Sequence, residues 1–319
     1  MKKMCLVVCM LFIAVVALVG CNSDSAYPSK DIKTIVPYGA GGTTDLTVRA
    51  LFDAVPKEDM PNNSSFLVSN VTGGSGLVGA NEFTNSDSDG YTLGVLNCDL
   101  LLNEVLGNTE ITVDDYVPLV AIQDDPYAVV VSAEAPFQTF EELIDYAKEH
   151  PGEITIGDSG SGSANNLAVR AMEKFLGVSF NKVSYDSSAD SVISVVSGEI
   201  DATVTHTSAA TGQLDAEKVK ILAVTSNERL STYPDVPAIG ELYEEASDMK
   251  VDSWIFLAAR PNTEQSSIEF LQDTFSEAVN SDKFKTSIKN FHMQEVSMTS
   301  EEMKEFIKSQ REYYKKVLN

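Results

Sequence analysis

The 319-residue chain carries 47 acidic against 23 basic residues, a net charge of −24, with 43% apolar side chains. That acidity excludes the basic surfaces that nucleic acid and anionic lipid require, while the length supports a large core divided over two domains. Cys5, Cys9 and Cys21 fall in the first 21 residues, so Cys98 has no partner for an internal disulfide in a processed chain.

The chain opens on Lys2 and Lys3, continues with an apolar run from Met4 to Val19, and reaches Gly20 and Cys21. This is the layout of a bacterial lipoprotein signal. The run is short of the roughly 20 residues of a spanning helix, and no basic stop-transfer flank follows it. Residues 1–20 are therefore expected to be removed and Cys21 to carry lipid. Losing Lys2 and Lys3 takes the net charge from −24 to −26, so membrane contact is expected through lipid alone, at the cell surface or in the periplasm. Residues 21–26 read as a polar tether of at most about 20 Å.

Beyond the tether, strand patterns alternate with helical ones. Ile32–Val36 leads through a glycine loop into a helix over Thr44–Ala54. Further strands are predicted at Ser65–Val71, Tyr91–Leu96, Leu119–Gln123, Tyr127–Ser132, Ile154–Gly157, Lys182–Tyr185, Ile200–His206, Lys220–Val224 and Trp254–Ala259. Many are continuously apolar, as strands covered on both faces are, which predicts α/β architecture with largely parallel sheets. Thr139 with Glu142 and Thr299 with Glu302 form capping boxes. Ser163 is expected to cap a helix that ends at Gly177, and Ser188 to open one that ends at Gly198. Met303, Phe306, Ile307, Tyr314, Val317 and Leu318 trace the docking stripe of a C-terminal helix.

Two glycine loops join a strand to a helix, Pro37–Asp45 and Asp158–Ser163. Each places free backbone N–H groups at a helix start, where the helix dipole also favours negative charge, so each is a candidate anion cradle without formal charge. Sharper motifs fail on their spacing. Gly157-Asp158-Ser159-Gly160 imitates a serine-protease nucleophile segment, but only His150 precedes it and the α/β pattern is wrong for that fold. Asn85–Gly90 starts like a calcium loop, yet its twelfth position is Leu96 instead of glutamate. His150, His206 and His292 lack metal-ligand spacing, and neither glycine loop completes a dinucleotide fingerprint. No catalytic residue, metal or cofactor is expected.

The chain resembles the tripartite tricarboxylate transporter substrate-binding proteins, the Bug family. Its matching segments are Tyr27–Lys30, Ile35–Tyr38 with Gly41, Gly42 and Asp45, Asp89–Leu93, Gly160–Ala168, Gly198–Asp201, Leu222–Thr225, Tyr233–Pro237 and Ser253-Trp254. The resemblance implies a bilobal, periplasmic-binding-protein-like (Venus flytrap) fold of two α/β lobes, one over 27–125 plus 252–319 and the other over 126–251. It implies a receptor that captures a small organic acid and passes it to membrane permease subunits. A receptor feeding a sensor or another transporter type is the alternative, and an extracytoplasmic enzyme the weaker one. By the same resemblance Tyr38, Gly41, Gly42 and Thr43 grip the ligand carboxylate from one lobe, and Ser159, Gly160 and Ser163 from the other. Asn97, Cys98, Tyr185, Thr205 and His206 line the remaining pocket. Asp158, Asn166 and Asp186 depart from the family pattern, and with Asp99 the acids point to a ligand less anionic than a tricarboxylate.

Overall fold

The computed structural model describes residues 27–185 and 187–319; the leader, Cys21, the tether and Asp186 lie outside them. A strand forms at each predicted apolar run, and the strands assemble into two five-stranded sheets. The first contains β1 (Ile32–Val36), β2 (Phe66–Asn70), β3 (Thr92–Asn97), β4 (Val117–Pro126) and β10 (Asp252–Ala259), in the order β2-β1-β3-β10-β4. The second contains β5 (Ala128–Ser132), β6 (Thr155–Asp158), β7 (Asn181–Ser184), β8 (Ala202–Thr205) and β9 (Val219–Val224), in the order β7-β6-β8-β5-β9.

Both sheets are mixed, which corrects the expectation of largely parallel ones. Pairing is parallel for β1 with β2 and β3 and for β6 with β7 and β8. It is antiparallel for β10 with β3 and β4 and for β5 with β8 and β9. The route of the chain explains this. β4 runs through Pro126 and Tyr127 directly into β5, and the chain returns over residues 225–251 into β10. Each sheet thus receives one strand from its neighbour instead of from its own βα units. Every residue of β10 is buried, and its Trp254–Ala259 stretch reads as a continuous apolar run whatever its direction.

The main helices are α1 (Thr43–Ala54), α2 (Leu77–Thr84), α3 (Cys98–Leu106), α4 (Phe140–Glu149), α5 (Ala164–Leu176), α6 (Ser188–Ser197), α7 (Thr207–Asp215), α8 (Ile239–Leu242), α9 (Gln265–Asn280), α10 (Asp282–Asn290) and α11 (Ser300–Leu318). The capping boxes of α4 and α11 form in both directions. Ser163 caps α5, and Gly177 closes it at φ +67°. α6 opens at Ser188 and ends at Gly198 as expected, with Ser187 as its cap, the Asp190 amide donating to the Ser187 Oγ at 3.2 Å.

The apolar stripe of α11 docks as expected. Met303, Ile307, Tyr314 and Val317 are buried, and the helix packs on α3, α5 and β4. Trp254 Nε1 donates to the Tyr314 hydroxyl at 3.3 Å beneath it. One apolar cluster therefore runs from Leu96 and Leu101 through Tyr127 and Trp254 to Leu167 and Met172, joining the two lobes. Each such buried side chain is worth about 1.5–3 kcal/mol. A second cluster, with Val48, Leu51, Leu271 and Phe275, fills the outer side of the first lobe. Among the described residues no helix is long and apolar enough to cross a membrane.

Candidate functional site

Within each sheet the parallel strands end along one edge, the position at which open α/β sheets offer a crevice to ligands. The predicted residues all follow or finish such strands: the Pro37–Gly42 loop after β1, Asn97 at the end of β3 with Cys98 next, the Ser159–Ser163 loop after β6, Tyr185 after β7, and Thr205 and His206 at the end of β8. Hydrogen bonds between the lobes bring the two edges together. Thr43 Oγ1 lies 3.3 Å from Ser208 Oγ. The Ala164 amide donates to Asp99 Oδ1 at 2.9 Å, and Asn103 Nδ2 to the Gly162 carbonyl at 3.0 Å. Thr207 Oγ1 donates to the His292 carbonyl at 3.4 Å.

In the first loop Gly41 has φ +81°, a left-handed conformation that glycine adopts without a Cβ penalty. Its amide donates to Asp45 Oδ2 at 2.9 Å. Burial opposes the Asp45 charge, but hydrogen bonds from Arg49, Gly41 and Asn70 outweigh it and hold the carboxyl below its usual range. The Gly42 amide donates to the Gly39 carbonyl at 3.2 Å. Gly42 supplies no side-chain cap to α1, so among the described residues the first-turn amides of Thr43 and Thr44 have no capping side chain as acceptor. Tyr38 turns inward. Its hydroxyl accepts from Asn97 Nδ2 at 2.6 Å and donates to Asp99 Oδ2 at 2.7 Å, and burial beside Asp99 pushes its pKa well up. Asn97 in turn caps α3 through the Leu100 amide.

Much of the second loop is satisfied from within the protein. Gly160, at φ +92°, donates its amide to Asp158 Oδ1 at 2.7 Å. The Ser159 amide donates to Asn165 Oδ1 at 3.2 Å, and Asn166 Nδ2 to Asp158 Oδ2 at 2.6 Å. Ser163 Oγ lies 2.6 Å from both the Gly160 carbonyl and Asn165 Oδ1. Ala164, the first residue of α5, gives its amide to Asp99 of the other lobe. Burial raises the Asp99 pKa, against the opposing hydrogen bonds from Tyr38 and Ala164.

The strand ends of the second lobe are less committed. Among the described residues Tyr185 Oη and Thr205 Oγ1 are buried without a hydrogen-bond partner, an arrangement that costs free energy unless a solute or water pairs with them. The half-buried His206 ring sits 4.9 Å from the Tyr127 ring. Desolvation lowers its pKa to about 4, so it is neutral near pH 7. Cys98 is buried, with Sγ 3.9 Å from the Tyr127 hydroxyl. Among the described residues no group of His, Cys, Asp or Glu is placed to hold a metal ion. A surface depression of about 400 Å³ lined by Phe137, Tyr146, Glu153 and Asp201 shares no residue with this crevice.

Sequence reasoning missed the residues that hold the loops in place: Asn70, Asn103, Asn165 and Ser208. Asn103 alone carried a signal, because it lies four residues after Asp99 on one helix and so shares its face.

Residues 60–319 match the tripartite tricarboxylate transporter family receptor pattern. A UPF0065 protein of Bordetella pertussis is 26% identical over 93% of this chain and 92% of its own. BugT of the same organism is 26% identical over 85% and 83%. A solved TctC solute binding protein from Polaromonas is 28% identical, with TM-score 0.75 over 92% of this chain and 99% of that one. The fold is also shared by Rpa4515 of R. palustris, solved with adipate, at 23% identity and TM-score 0.80 over 92% and 97%.

Proposed function

The chain belongs to the tripartite tricarboxylate transporter receptor family, a family of extracytoplasmic solute receptors and not of enzymes, and from that premise we propose that it captures a small organic acid for a membrane permease. Two lobes, 27–125 plus 252–319 and 126–251, close on the solute. The open first-turn amides of Thr43 and Thr44 receive its carboxylate, with Gly41 and Gly42 shaping the approach. Tyr185, Thr205 and His206 meet the remainder from the second lobe, and Ser159, Gly160 and Ser163 fix the wall beside them. Tyr38, Asn97 and Cys98 act from behind the first loop. Lipid on Cys21 keeps the closed receptor near its permease by raising the local concentration.

The observation that carries this reading is the meeting of the two parallel-strand edges, marked by the Thr43–Ser208 contact of 3.3 Å. Adipate bound to a neighbour of the same fold agrees with a carboxylate solute. The test is mass spectrometry of small molecules released from the denatured purified protein, followed by thermal stabilisation with the released compound. A co-purified organic acid that raises the melting temperature without being turned over is expected. A compound that is consumed, or the absence of stabilisation by any small carboxylate, contradicts the reading.

A further inference from the structure

Asp99 stands at the first turn of α3 in one lobe, yet one oxygen of its carboxylate is received by the other. Oδ1 accepts the Ala164 amide at 2.9 Å and Oδ2 accepts the Tyr38 hydroxyl at 2.7 Å. One turn along the same helix, Asn103 Nδ2 donates to the Gly162 carbonyl at 3.0 Å. The start of α3 is therefore fastened to the second glycine loop at two points. That loop was the expected cradle for a solute carboxylate, and three of its amides are already used: Ser159 by Asn165, Gly160 by Asp158, Ala164 by Asp99. Asp99 and Asp158 bring two carboxylates to it, and among the described residues neither forms an ion pair with lysine, arginine or histidine. The nearby guanidinium of Arg170 is engaged with Asn166 Oδ1 at 3.0 Å.

We propose that Asp99 is a tethered internal anion: it occupies the helix start of the second lobe in place of a solute carboxylate, holds the lobes together without solute, and makes the receptor favour one carboxylate over two or three. This rests on the receptor reading and narrows its ligand class. A solute carboxylate at the first loop meets the open start of α1. A second carboxylate directed at the second loop meets two like charges and finds the Ser159, Gly160 and Ala164 amides occupied. Such an arrangement selects by repulsion as much as by attraction. Closure without solute follows from the same contacts, because an internal acceptor stabilises the closed state as a ligand does.

The test compares the wild-type chain with Asp99→Ala, which empties the helix start, and Asp99→Asn, which keeps an acceptor for the Ala164 amide but removes the charge. Each is titrated calorimetrically with pentanoate, benzoate, adipate and citrate, and small-angle scattering is recorded without ligand. The wild type is expected to bind a monocarboxylate at least tenfold more tightly than adipate or citrate. Asp99→Ala is expected to gain about tenfold for adipate and to expand in scattering. Asp99→Asn is expected to stay compact while losing the discrimination. The proposal is overturned if wild-type protein binds adipate as tightly as the monocarboxylates, or if the Asp99→Ala scattering profile matches the wild type. If no acid binds any of the three proteins but Asp99→Ala expands, the internal anion stands and the carboxylate-receptor reading fails instead.

Discussion

Replacing Asp125 by asparagine removes a buried carboxyl from the crossover between lobes. Asp124 and Asp125 lie just before the last residue of β4, and Asp252, opposite Pro126, begins β10. Asp125 is only 5% exposed, its Oδ1 accepts the Gln294 amide at 2.8 Å, and its Oδ2 has no partner. Burial, partly offset by the Gln294 bond and reinforced by Asp124, pushes its pKa from 3.8 to about 7. Asp252 is raised as well, by burial and then by the neighbouring Asp124 charge against the attraction of Lys250. Above pH 4 the unfolded chain releases the Asp125 proton while the folded chain keeps it, so folding loses stability as pH rises and the loss is complete near pH 7. About three pKa units correspond to roughly 4 kcal/mol, an upper figure because the neighbouring acids titrate with it. Asp125→Asn keeps the acceptor and removes the titration. In thermal denaturation from pH 4.5 to 8, the variant should melt close to the wild type at the acid end and several degrees higher at pH 7.5. A difference between the two proteins that does not change with pH would refute the argument.

Other expectations concern packing and local caps. A Cβ at Gly94 would stand 2.5 Å from the Phe83 ring, so Gly94→Ala should cost about 1–3 kcal/mol in urea denaturation. Removing the capping hydroxyl with Thr299→Ala should cost about 1 kcal/mol, seen as a lower melting temperature. Cys98 is buried and its thiol pKa is pushed well up by desolvation and then by Asp99, so a thiol reagent should label it only after denaturant is added.

What the sequence made legible was local. Thr139 with Glu142, Ser163 with Gly177 and Thr299 with Glu302 announce helix ends because each partner lies within the same turn or at the helix terminus. The glycine loops were legible for the same reason, since strand, glycines and helix start are consecutive. The direction of β5 and β10 was not, because a buried strand has the same composition whichever way it runs. The pairing of Asp99 with Ala164 was equally hidden. It joins residues 65 positions apart across a crevice, and nothing in either local sequence encodes that approach. Asp125 looked like one of two adjacent acids in an acidic chain; only the strand register sets it opposite Ser253, next to Asp252.

The most direct measurement is amide hydrogen exchange of the full chain with and without the organic acid it binds. Slower exchange at Thr43 and Thr44, together with slower exchange around Tyr185, Thr205 and His206, is the result expected of a solute held between the lobes. Protection confined to one lobe, or to the depression around Phe137 and Tyr146, would contradict it.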